Sequence, residues 1–126
     1  MKIQCEVSLG ELVDKLSILS IKIKKISDPK KIKLAEKEHQ VLSQTLKELA
    51  LQDIDLYLNR LEEVNTKLWE IEDDIRECEK GKEFSEKFIT LARAVYVTND
   101  QRFAIKNEIN DKYGSSIKEV KSYEEY

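Results

Sequence analysis

One stripe of apolar residues limits the fold more than any other feature of this chain. Ile54, Leu58, Leu61, Val64, Leu68, Ile71, Ile75 and Cys78 follow one another in unbroken steps of three and four. A helix turns by about 100° per residue, so all of these side chains fall on one face. A half-buried strand would alternate instead. The spacing therefore predicts a long amphipathic helix from Ile54 to about Cys78, and such a helix must bury its stripe against others. Composition points the same way: 37% of residues are charged and only three are Gly and one Pro. That leaves too few breakers for the many turns of a sandwich or barrel.

The remaining pattern divides the chain into shorter helices. Ser8-Leu-Gly-Glu11 reads as a capping box that opens a first helix reaching about Ile26. Its stripe is Leu9, Leu12, Val13, Leu16, Leu19 and Ile23, yet Ile18 and Ile21 lie on the opposite side. A helix apolar on two sides is either central in its bundle or packed against a second subunit. Asp28-Pro29 stops and restarts the chain, because proline is tolerated in a first helical turn. The second helix carries Ile32, Ala35, His39, Leu42, Leu46 and Leu49, and His39 reads as a packed or boundary histidine. Asp53 is placed to cap the third helix and Gly81 to close it in the left-handed conformation. A fourth helix follows through Phe84, Phe88, Leu91, Ala92 and Val95. "VYVTND" is poor helix material, and Thr98-Asn-Asp-Gln101 reads as a new cap, so a fifth helix is expected from about Asn99 to Tyr113, closed by Gly114. "KIQCEV" alternates, and "SSIKEVKSYEEY" could pair with it. The expected fold is a mainly α bundle of four or five helices, with the option of a short two-stranded sheet joining the termini, in a single domain over residues 1–126.

Several functional classes recede on these grounds. Net charge is −3, so no global basic field draws nucleic acid or anionic lipid. The lysines of "IKIKKISDPKKIKLAEK" lack interleaved aromatics and read as a solvated face. No apolar stretch is long enough to span a bilayer. Cys5 and Cys78 have no metal-type spacing, and a reduced cytoplasmic setting is expected. There is no glycine-rich phosphate loop, and His39 alone cannot supply Ser-His-Asp or Cys-His catalysis.

The acidic run "LWEIEDDIREC" raises the question of a metal. All-α nucleotide pyrophosphohydrolases gather carboxylates from paired helices around Mg²⁺, and Glu70-x-x-Asp73 and Glu108-Ile-Asn-Asp111 resemble fragments of that pattern. Helical phase places Glu70, Asp73, Asp74 and Glu77 on the outer face and Glu72 alone near the stripe. Convergent oxygens are what magnesium needs. A Mg²⁺ site at Glu72, Asp73, Glu108 and Asp111 is therefore kept as the alternative, and no metal or other cofactor is the primary expectation.

The inner-edge charges offer a second constellation. Arg102 and Lys106 fall within or beside the Ile105–Ile109–Tyr113 stripe, where an unpaired cation is costly. Glu72 is the expected acceptor, with Asn65 completing the hydrogen bonding and Trp69 and Arg76 on the same flank. Asn99 and Asp100, beside Arg102, extend the cluster. It would be either an ion network that sets register or a small-anion site centred on Arg102.

"GELVDKLSIL", "LWEIEDDIR", "VYVTNDQRFAIKNEIN" and the terminal "EVKSY" together resemble a small uncharacterised family found in bacteria and phages, over most of the chain. The resemblance implies no activity. It does imply that Asp14, Lys15, Trp69, Glu72, Asp73, Arg76, Asn99, Asp100 and Arg102 belong to a recurring pattern. The balance of readings leans away from an enzyme and toward a non-catalytic interaction or assembly module, with a protein partner or a second copy as homodimer. A metal-dependent hydrolase of a nucleotide or phosphorylated small molecule is the rival, and an anion binder at Arg102 the third reading.

Overall fold

The computed structural model describes every residue, Met1–Tyr126, and contains four helices and no strand. They are α1 (Leu9–Lys25), α2 (Pro29–Glu48), α3 (Ile54–Lys80) and α4 (Glu86–Tyr113). Local chemistry sets their starts. The Ser8 hydroxyl accepts from the Glu11 amide at 3.1 Å, and Asp28 accepts from the Lys30 amide at 3.0 Å with Pro29 in the first turn. Each satisfies a backbone donor that the first turn leaves open. At the far end Gly114 takes a φ of +68°, as expected of a left-handed cap.

α1 is the centre of the bundle. It packs against α2 and against the antiparallel α3–α4 pair, and the α2 backbone comes close to α1 alone. Of its two apolar sides, Val13, Leu16, Leu19 and Ile21 are buried within one chain, while Ile18 is half-buried. The core joins Val13 and Leu16 to Leu46, Ile54, Leu61, Ile105 and Ile109. Each such side chain contributes roughly 1.5–3 kcal/mol when fully buried. α1 and α4 come close because Gly10 has no β-carbon; one would stand 2.7 Å from the Lys106 carbonyl oxygen. His39 sits at the α1–α2 boundary, its Nε2 3.2 Å from the Ser20 hydroxyl.

Four expectations need correction. The break at Thr98 is absent: α4 runs through it, and Thr98 is buried in mid-helix. The β-branched residues around it each lower helix propensity by about 0.5 kcal/mol or so, and packing of Thr98, Ile105 and Ile109 overrides that. The terminal sheet does not form; residues 1–7 are exposed coil, and a lone two-stranded ribbon is only marginally stable. Gly81 has a φ of −84°, and Lys82 takes the left-handed turn instead at +51°. Asp53 precedes α3 as expected but makes no side-chain cap, being itself left-handed at φ +64°.

Length mismatch shapes the rest. With a rise of about 1.5 Å per residue, α3 and α4 outrun the 17-residue α1 by more than two turns. Their far ends project as a two-helix arm closed by the turn at residues 81–85. No residue of α4 ahead of Thr98 is fully buried, and Phe84, Ile89, Tyr96 and Val97 are exposed. No helix is long and apolar enough to cross a membrane.

Candidate functional site

Three helices bring one face each to a buried polar centre. On α1 the steps Gly10, Asp14 and Ser17 place small and polar groups inside an apolar surface. On α4 the steps of four from Thr98 to Arg102, Lys106 and Asn110 do the same, and Asn65 faces them from α3. Antiparallel packing then sets Gly10 against Asn110 and Asp14 against Arg102.

Asp14 is the hub, with no exposed surface. Its Oδ1 accepts from Arg102 Nε at 2.9 Å and its Oδ2 from Arg102 Nη2 at 2.5 Å, a bidentate fork. Asn65 Nδ2 donates to Asp14 Oδ1 and to Ser17 Oγ, each at 2.8 Å, and the Ser17 hydroxyl donates to the Asp14 carbonyl at 2.6 Å. Lys106, also buried, places Nζ 2.8 Å from Glu11 Oε2 and 2.7 Å from Glu119 Oε2, with Asp14 Oδ2 at 4.0 Å. The Asp14 hydrogen bond holds the Arg102 guanidinium above its ordinary pKa against the opposing effect of burial. For Lys106 burial is the largest influence and pulls downward, yet the hydrogen bond to Glu11 and the nearby Glu119 carboxylate outweigh it and raise the pKa.

The expected cluster is thus present with a different acceptor. Asn65, Arg102 and Lys106 gather around Asp14, and Glu72 is not their partner; it pairs with Arg76 one turn along α3 at 3.5 Å. Asp14 holds Arg102 because the α1–α4 crossing brings Gly10 and Asn110 into contact and aligns the next turns. A carboxylate and a hydroxyl lying among Val13, Leu16 and Leu19 were the available signal. Glu11 and Glu119, the partners of Lys106, had none: one looked like half of a capping box and the other like solvated tail.

Glu72 instead lines a cleft beside the cluster. Between α1 and α3, Ile18, Ile21, Leu68 and Trp69 form apolar walls of a cavity of about 300 Å³, with Asn65, Glu72, Asp73, Arg76 and Arg102 supplying the polar lining. Asn65, Trp69, Glu72, Asp73, Arg76 and Arg102 are therefore assembled around one space. Arg102 forms the wall between this cleft and a smaller hollow on its other side, lined by Asn99 and Lys106. Asp100 lies apart and accepts from the Tyr126 hydroxyl, which raises the tyrosine pKa. Lys15 is at the surface with Glu38, 3.4 Å away.

The four carboxylates of the metal alternative are not brought together. Glu108 is clasped by Arg60 at 2.6 and 3.2 Å, a hydrogen bond that keeps its carboxyl below the ordinary value. Asp111 is paired with Lys118 at 2.9 Å. Arg60 lies 12 residues before Glu72 on α3, about 18 Å along the axis. Nowhere do three His, Cys, Asp or Glu side chains converge as a metal would require.

No curated protein and no solved structure matches the chain. A family model does match it, over residues 1–126. Covering the chain from end to end, that match establishes that the protein belongs to the family of unknown function DUF6165.

Proposed function

We propose that the protein is a non-catalytic interaction module whose recognition site is the cleft between α1 and α3, and that the occupant is a segment of a partner protein. The observation that carries this is the lining: Trp69 and Arg102 beside Ile18, Ile21 and Leu68, in about 300 Å³. Tryptophan and arginine dominate binding energy at protein interfaces, where an apolar anchor enters a pocket with a polar rim. Asp14, itself fixed by Asn65, holds Arg102 in place before any partner arrives, which lowers the entropy lost on binding. Charges of both signs, Glu72 and Asp73 against Arg76 and Arg102, suit an amphipathic peptide better than a simple anion. The two unpaired thiols, one exposed and one buried, fit a reduced cytoplasmic setting.

A photo-reactive phenylalanine analogue at position 69 tests the reading in cells, with the same group at exposed Leu34 as control. A discrete adduct at 69 that weakens in Arg102→Lys supports it. Equal labelling at both positions refutes it. The hydrolase alternative is tested by a thermal melt with Mg²⁺ and a nucleoside triphosphate. A metal-dependent rise in Tm lost in Glu72→Gln or Asp73→Asn favours it, and no rise counts against it.

A second reading rests on the arm. Exposed Phe84, Ile89, Tyr96 and Val97 are what a homodimer joined through the α3–α4 tip would cover. Light scattering on the eluted protein gives twice the chain mass if so, and Val97→Asp returns it to one.

A further inference from the structure

The cleft between α1 and α3 leaves one carboxylate and one aromatic ring without a partner. Its charged lining is Arg76 and Arg102 against Glu72 and Asp73. The buried carboxylate of Asp14 neutralises Arg102 through the bidentate fork, and Arg76 neutralises Glu72 at 3.5 Å. Lys24 and Lys25, at the end of α1, are engaged by Glu62 and Glu70, and Lys22 lines a different hollow with Glu38. Asp73 forms no ion pair, so the cleft keeps one negative charge. The surrounding field has the same sign. Among residues 70–83 only Arg76, Lys80 and Lys82 are cationic, against more than twice as many carboxylates. Such a field draws a cationic partner toward the cleft and repels an anionic one.

Trp69 stands four residues before Asp73, one turn away on the same side of α3, with about 6 Å between the two β-carbons. One cationic head can therefore touch both the ring and the carboxylate. Tryptophan is the strongest cation–π acceptor among the aromatic side chains. Elsewhere the chain sets Arg60, Lys112 and Lys121 over tyrosine and phenylalanine rings, but no cation of its own lies over Trp69. Arg102 is held by Asp14 through Nε and Nη2, and its Nη1 makes no hydrogen bond within the chain. Those open donors suit a neutral oxygen such as a backbone carbonyl. An incoming carboxylate would be opposed by Asp14, which already uses the charge of Arg102, and by Asp73.

We infer that the partner segment taken by this cleft is basic and amphipathic. An apolar side chain enters between Ile18, Ile21 and Leu68, a neighbouring lysine or arginine lies over Trp69 and meets Asp73, and a backbone carbonyl accepts from Arg102. The inference rests on the cleft being the recognition site and adds the chemistry of what it recognises.

Trp69 is the only tryptophan, so its fluorescence reports occupancy. The test titrates the full chain with three pools of short peptides that share a central leucine. The pools differ only in the residue four positions from it: lysine, glutamine or glutamate. The lysine pool should bind about tenfold or more tightly than the glutamate pool, with glutamine between them. Added salt should weaken the lysine pool and leave the glutamine pool unchanged. Asp73→Asn should remove most of the lysine advantage without altering the glutamine pool. Arg76→Gln, which frees Glu72, should enlarge that advantage. Both residues are exposed, so neither change disturbs the core. Equal binding of the lysine and glutamate pools, or a preference for glutamate, overturns the inference and leaves the cleft standing as a recognition site. A lysine preference that survives unchanged in Asp73→Asn overturns it too, because the charge is then read elsewhere. If none of the pools moves the Trp69 signal, the cleft reading fails and the inference with it.

Discussion

A β-carbon on Gly10 would stand 2.7 Å from the Lys106 carbonyl oxygen, and a backbone oxygen cannot swing aside as a side-chain tip does. Alanine would gain up to about 1 kcal/mol in helix propensity. Overpacking costs about 1–3 kcal/mol and disturbs the adjoining Gly10–Asn110 hydrogen bond of 2.7 Å, so the loss wins. Gly10→Ala should therefore lower the urea midpoint, whereas an increase would mean that α1 and α4 separate freely. At Asp14 the imbalance is electrostatic. Arg102→Met leaves a wholly buried carboxylate with only Asn65 donating to it and Lys106 4.0 Å away. Breaking a buried pair by removing one partner costs about 3 kcal/mol or more. Arg102→Lys keeps a charge but not the fork, and denaturant unfolding should place it between wild type and methionine.

Among the helices, α4 divides by burial rather than by sequence. Its residues from Glu86 to Val97 include none that is fully buried, while Thr98, Ile105, Lys106, Ile109 and Asn110 all are. Opening a segment with few buried contacts takes less free energy than opening one in the core. Amide exchange should accordingly be faster over residues 88–96 than over 102–110, by about tenfold for each 1.4 kcal/mol of difference in opening. Uniform protection along α4 would show that the arm is covered in solution, as the homodimer reading requires. The same contrast accounts for the misplaced break. "VYVTND" does mark a change along α4, but the change is from arm to core within one helix, and local propensity cannot separate that from an end.

For the molecule as a whole, the polar centre links stability to alkaline pH. The folded Lys106 pKa lies above its unfolded value of about 10.4, so the folded state binds the proton more tightly. Stability from this group is complete below pH 10.4 or so and is lost as pH rises through the higher, folded value. The difference in unfolding free energy between wild type and Lys106→Met should thus be level from about pH 7 to 10 and shrink above that. A difference that stays level through the alkaline range would contradict the Glu11–Lys106–Glu119 arrangement.

The sequence by itself determined the helical class, the starts of α1 and α2 and the close of α4, because periodicity and capping act within a few residues of one another. It also marked Arg102, Lys106 and Asn65 as polar groups at a buried edge, since helical phase follows from spacing alone. Which carboxylate they would meet was decided only by the tertiary structure. Glu72 and Asp14 were both near an apolar stripe, and the choice between them depends on how deeply α1 sinks against α4 at Gly10. That approach joins residues 100 positions apart. The turn of the tail onto Lys106 likewise depends on a buried charge that exists only after the helices have packed.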